Sequence, residues 1–310
     1  MKKGIAFTVI LVVIAFTSLG LWGDIHKAGA ALKNFPWYLL PLIALFGFAN
    51  DLIKFFRWNV YLKKLDIHLP IAQSLGIFVS GLSMSATPGK VGFLIKSQML
   101  KNLTGRTLIT SSPVILAELY MDFIALSLIS VFGIGMIGSN IWLVLILCTI
   151  PLCGLIPGVP ELAAGLIAKI PFFSHKTRDL RSALDDMFAL FGPKVLWVAF
   201  IITLAAWASE GIALSLIVKG LGFDMGIIQA TVIFGFSTLI GVISMLPGGL
   251  VVTDASLMGL ILHAGIPATP AALAAIMARI FTLWLAVLIG SVVLVINRRY
   301  MYSLKKEGIA

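Results

Sequence analysis

Ten apolar segments divide this 310-residue chain, at about residues 4–22, 37–60, 70–87, 91–103, 109–133, 139–159, 195–218, 227–246, 249–264 and 270–296. Several reach the ~20 residues that carry a helix across a bilayer. Inside lipid every backbone N–H and C=O must be satisfied by the segment itself or by a closed barrel. The runs are continuous rather than alternating, which excludes the barrel. Composition agrees: 60% of residues are hydrophobic and 12% charged, against roughly a quarter charged in soluble domains. The expected fold is an all-α polytopic membrane protein, a single transmembrane domain over residues 1–310. Met1-Lys2-Lys3 and the apolar run that follows read as an uncleaved first span, because the run is long for the apolar part of a signal peptide.

A proline-glycine turn interrupts the apolar pattern twice. Thr87-Pro88-Gly89-Lys90-Val91-Gly92 is the first copy and Leu246-Pro247-Gly248-Gly249-Leu250 the second. Proline ends the preceding helix and glycine lets the chain turn without a Cβ in the way. Broken helices in matching positions of two halves point to a transporter's binding site. Each turn is followed, some thirty residues on, by a charged residue in an apolar run, Glu118 in one half and Arg279 in the other. Repeat 1 is set at about 37–133 and repeat 2 at about 195–296. A linker span and loop, about 139–194, joins them and contains the main polar stretch of the chain.

The net charge of +10 comes from basic residues scattered over short loops, which speaks for topology rather than nucleic acid, since Lys and Arg collect on the cytoplasmic side. If 70–87 and 91–103 form a hairpin that returns to its starting side, both termini are cytoplasmic. Of the 23 Lys and Arg, only Lys27, Lys33 and Lys219 then fall outside, with Arg279 within a span. The second hairpin, 227–246 with 249–264, opens from the opposite side, so the two repeats are inverted. The expectation is about six full spans plus two re-entrant hairpins in the cell membrane. Residues 178–190 suit a short amphipathic helix on the membrane surface.

A helix that restarts at bilayer depth presents free N–H groups and its positive dipole end, which favours an anion. Gly89, Lys90 and Lys96 at the first turn, and Gly248, Gly249 and Arg279 in the second half, are the candidate substrate-binding residues. Glu118 and Asp122 share a helix face at i and i+4. With Glu210 and Asp254 they are candidates for cavity charge or proton coupling, because an ionisable group in a span faces a cavity or a partner. The bland alternative is mutual pairing, Arg279 with Asp254 or Glu210. Lys54 and Arg57, near the end of the second span, read as grips for lipid phosphates at headgroup level or as positive-inside anchors beside an interfacial Trp58. Cys148 and Cys153 read as core packing, and His263 as a packing residue. His26, His68, His175 and His263 are too far apart for a metal site. There is no nucleophile elbow, phosphate-binding glycine loop or zinc-protease helix, so neither an enzyme nor a cofactor is expected.

With these residues in view, the chain resembles the lysylphosphatidylglycerol synthase/flippase transmembrane family over roughly residues 5–297. Pro88-Gly89-Lys90-Val91-Gly92 with Lys96 is similar to the family's first-half signature. Glu118 and Asp122 match its Glu-Arg-x-x-Asp helix, with Leu119 in place of Arg. Leu246-Pro247-Gly248-Gly249 with Asp254 is similar to its second turn, with Val251 in place of a glycine. Arg279, Thr282 and Trp284 match its last span, and Phe93 stands where many members are polar. The resemblance implies a lipid translocator for an anionic, aminoacylated, hopanoid- or polyprenyl-linked lipid. Its bifunctional members carry an aminoacyl-transferase domain after the membrane part, and the short tail here makes lipid aminoacylation unexpected. The partners implied are membrane lipids with an anionic headgroup, with a homo-oligomer open. Two other classes remain open, a membrane enzyme acting on a lipid headgroup and a non-transporting scaffold of an envelope-lipid pathway.

Overall fold

A computed structural model describes residues 25–105, 108–133, 149, 186–188 and 190–298, with the side chains of 25–27, 89–91 and 108–110 excepted. The expected spans at 4–22 and 139–159, both cysteines, His175, most of 178–190, and the side chains of Gly89 and Lys90 lie outside the described residues.

All regular structure among the described residues is helical. In chain order the helices are α1 (Ile25–Lys33), α2 (Leu40–Lys64), α3 (Ile71–Leu82), α4 (Leu94–Thr104), α5 (Leu108–Phe132), α6 (Pro193–Gly220), α7 (Ile227–Ile243), α8 (Val252–His263), α9 (Ala268–Arg279) and α10 (Leu285–Ile296). Several prolines stand at or just before helix starts, where a missing N–H costs nothing, whereas Pro113 lies inside α5. Pro41 and Pro193 lie within the first turns of α2 and α6, and Pro70 and Pro267 directly precede α3 and α9. α1 is a helix where the sequence reading places only a loop.

Four helical stretches are long and apolar enough to span a bilayer: Trp37–Lys64, Ser111–Phe132, Pro193–Gly220 and Ala268–Ile296. Their exposed side chains, such as Leu45, Phe56, Ile201, Leu288 and Val292, form the apolar surface a bilayer covers. The helices that flank the two proline-glycine turns are shorter. α3 packs against α4, and α7 against α8.

The apolar core falls into two lobes. One gathers α3, α4, the first half of α5 and the second half of α2; the other gathers α7, α8, α9 and the second half of α6. α2 and α6 run antiparallel along each other, with Asn50 Nδ2 donating to the Ala206 carbonyl and Arg57 bonded to Thr203. Met187 and Leu190 are buried in the first lobe, and Tyr120 meets Phe188 edge-on and Phe191 at a tilt. This end of the expected surface helix is therefore packed into the bundle.

Lipid tails are as apolar as leucine, so helices in a membrane associate chiefly through close packing of small residues. The last span does this twice. A five-residue π segment, Ile280–Trp284, joins α9 to α10. Before it, Ala271, Ala272, Ala274, Ala275 and Ala278 are buried in the second lobe. After it, α10 packs on α3 of the first lobe, and Gly290 sits against the last turn of α3. A Cβ at Gly290 would fall 2.8 Å from the Leu82 carbonyl carbon and closer still to the Ser83 amide nitrogen. Backbone cannot step aside, so Gly290→Ala overpacks this contact and costs about 1–3 kcal/mol. Its thermal midpoint in detergent should drop, whereas Gly259→Ala, with open space around it, should leave the midpoint in place.

Candidate functional site

The first turn is a 3₁₀ segment, Pro88–Phe93, stapled by Thr87. The Thr87 hydroxyl donates to the Met84 carbonyl at 2.7 Å and accepts from the Gly92 N–H at 2.9 Å. The second turn is tighter. Met245, Gly248, Gly249 and Val251 all have positive φ, at 55°, 59°, 64° and 70°. Left-handed backbone is natural for glycine but a genuine outlier for a β-branched residue. Val251 is therefore strained. The two turns pack against each other. A Cβ on Gly248 would lie 3.4 Å from Ala86 Cα, an ordinary contact, so it is the positive φ of 59° that calls for glycine there.

Where the turns meet, a cavity of ≈ 200 Å³ opens between the lobes. Lys96, Glu118, Asp122, Glu210, Gly248, Gly249 and Arg279 all line it. Asp254 stands directly behind Arg279, with its Oδ1 2.8 Å from Arg279 Nε. The remaining candidates, Gly89 and Lys90, belong to the first turn, and their side chains are outside the described set. Sequence reasoning thus named residues from five helices that the fold brings to one place.

The charges are arranged in pairs. Lys96 on α4 donates to Glu118 on α5. Its ammonium also lies 4.8 Å from the ring centres of Trp58 and Phe93 and 4.9 Å from that of Phe78, an aromatic enclosure that favours a desolvated cation. Asp122 takes two cations from α2, Lys54 at 3.2 Å and Arg57 at 2.9 Å. Arg57 Nη1 also donates to Thr203 Oγ1 at 2.6 Å, whose own hydroxyl donates to the Ala199 carbonyl. Lys54 sits 4.0 Å over the Trp207 ring. Arg279 pairs with Asp254 rather than Glu210 and donates through Nη2 to the Gly248 carbonyl. Among the described side chains, Lys54, Arg57, Lys96 and Arg279 face Asp51, Glu118, Asp122, Glu210 and Asp254, four positive charges against five negative.

Lys54, Arg57 and Trp58 correct the sequence reading. They are 7%, 1% and 0% exposed, so they neither reach the headgroups nor anchor an interface. The signal was available: Asn50, Lys54, Arg57 and Tyr61 recur at i, i+4, i+7 and i+11, a polar stripe down one face of a span. His263 is a second correction, since it is exposed at the end of α8 rather than packed. Thr203 and Trp207 carry no charge, and nothing in their apolar neighbourhood marks them in the sequence.

Membrane-spanning helices around a buried, ion-paired cavity define an integral membrane protein with a polar site inside the bilayer. The chain belongs to the family of lysylphosphatidylglycerol synthase transmembrane regions, whose model matches residues 4–290. It is also similar to proteins of Methanothermobacter thermautotrophicus (strain Delta H) named UPF0104 membrane protein. One alignment is 24% identical over 93% of this chain and 94% of the relative; another is 31% identical over 31% of this chain and 29% of the relative. This membership supports a lipid-related function in a membrane.

Removing the shared carboxylate tests the network. Asp122→Ala leaves Lys54 and Arg57 buried without it, a loss of about 3–5 kcal/mol. The expected outcome is a markedly lower thermal midpoint in detergent, with Asp122→Ala combined with Lys54→Met and Arg57→Met recovering part of the loss.

Proposed function

We propose that this protein moves a lipid with an anionic headgroup between the leaflets of the cell membrane, without altering the lipid chemically. The observation that carries this reading is the meeting of the two proline-glycine turns, one from each half of the chain, at a buried ionic cavity. The family supports lipid as the cargo. In this reading the headgroup enters the cavity while the acyl tails stay in the surrounding lipid.

The helix lengths support re-entrant hairpins. α3, α4 and α8 have 12, 11 and 12 residues and α7 has 17. At 1.5 Å per residue they extend roughly 17–26 Å, short of the ~30 Å hydrocarbon layer. The hairpins then enter from opposite faces as inverted repeats, with both termini cytoplasmic, and the cavity opens to one leaflet at a time. Lys90, Lys96 and Arg279 hold the phosphate, and the acids balance the cavity charge. Irregular backbone at this depth is tolerated where it lines a cavity.

The decisive experiment is leaflet exchange of headgroup-labelled phosphatidylglycerol in liposomes containing the purified protein. Exchange is expected, and Lys90→Ala and Arg279→Ala should each slow it at least tenfold while remaining folded. Absence of exchange for phospholipids and polyprenyl phosphates alike, with a folded protein, would remove the translocator reading. Formation of a modified lipid would replace it with an enzyme.

A further inference from the structure

Arg279 ends α9 at the cavity wall and is 6% exposed. Its Nε faces Asp254 Oδ1 and its Nη2 donates to the Gly248 carbonyl. Asp254 Oδ2 accepts from the Val251 N–H at 3.0 Å, at the start of α8. Among the described residues Nη1 has no protein partner. The start of α8 and the Arg279 guanidinium therefore form an anion site in which the resident anion is the chain's own carboxylate. An external anion approaching from the cavity meets a cation that is already neutralised.

We propose that the phosphodiester of a membrane lipid binds Arg279 and that Asp254 takes up one proton as it does so. This rests on the translocator reading and names the chemistry of its headgroup site. Among the described side chains in direct contact with Arg279, the local charge balance points to the coupling. Arg279 and Asp254 sum to zero; adding a singly charged phosphodiester leaves one uncompensated negative charge beside a buried carboxylate. Like charges in a desolvated site disfavour the charged form of one of them, and the carboxylate can yield by protonation whereas a phosphodiester cannot. One proton from water, taken onto Asp254, restores neutrality. Its second oxygen still accepts from Val251 N–H, so the turn keeps its tie.

Asp254 is the carboxylate in direct contact with Arg279. Among the described residues, α7, α9 and the second turn, the main elements packed against α8, carry no ionisable residue other than Arg279. His263 lies at the opposite, exposed end of α8. Glu118 and Asp122 have their own cations; Glu210 and Asp51 line the same cavity from α6 and α2, and Asp254→Asn separates their titration from that of Asp254. The headgroup and Asp254⁻ compete for one cation, so lipid binding tightens as pH falls, by up to tenfold per pH unit for one linked proton.

The test is calorimetric titration of the full-length protein in detergent with phosphatidylglycerol in mixed micelles, at pH 6 and pH 8, in buffers of different ionisation enthalpy. The phosphodiester keeps one charge throughout, so any titrating group belongs to the protein. At least tenfold tighter binding at pH 6, with close to one proton taken up, is expected. Asp254→Asn should bind at pH 8 as tightly as the wild type does at pH 6 and take up no proton. Wild-type binding independent of pH, an unaltered pH dependence in Asp254→Asn, or no binding at either pH overturns the proposal. If the variant does not fold, wild-type proton uptake decides alone, and a value near zero is fatal. Proton-linked binding without leaflet exchange would remove translocation and leave this inference standing; exchange with pH-independent binding would do the reverse.

Discussion

A charged side chain at bilayer depth must find a counter-charge, and the architecture of this protein is arranged around that need. On insertion scales a lone charge at the centre of a span costs about 2.5–3.5 kcal/mol. Lys54, Arg57, Lys96 and Arg279 together would cost about 10–14 kcal/mol unpaired, comparable with the ~5–15 kcal/mol that holds a whole domain together. Each instead reaches a carboxylate on another helix, and three of these links define the bundle: α2 to α5, α4 to α5, and α9 to α8. The pairs act where hydrophobic association cannot, since the surrounding solvent is itself apolar.

Asp122 is the junction. It draws two cations from α2 onto α5, and through Arg57 and Thr203 it extends to α6. The polar contacts between the long helices thus converge on the cavity instead of being spread along the bundle. Lys96 shows the complementary device, in which an ion pair is sealed by three aromatic rings rather than by further hydrogen bonds.

Much of this was legible in the sequence because polar residues are conspicuous against an apolar background. Glu118, Asp122, Lys96, Glu210 and Arg279 could be picked out singly, and the repeated proline-glycine turn indicated that they belong together. Their partners were harder to assign, since pairing depends on how helices distant in sequence cross. Arg279 had Asp254 and Glu210 as equal candidates, and only the backbone of the second turn decides between them. Lys54 and Arg57 were misplaced for another reason: position near the end of an apolar run says how deep a residue lies, not which way it faces. The positive φ of Val251 had one sequence hint, that it stands in place of a glycine in the resembled turn; nothing in the valine itself announces it, and the turn imposes it from both sides.

The π segment at Ile280–Trp284 is a phase shifter. Bonding from i to i+5 accommodates one residue more per turn than the helices on either side, so α9 and α10 are not one continuous screw. The alanine face of α9 and the glycine contact of α10 are each set for a different lobe, and the wide turn reconciles the two settings. Loss of one residue there would rotate all of α10 by about 100° and carry Gly290 off its seat, although every other side chain of the span would be unchanged. For this span the number of residues between Arg279 and Gly290 is as much a part of its information as their identity.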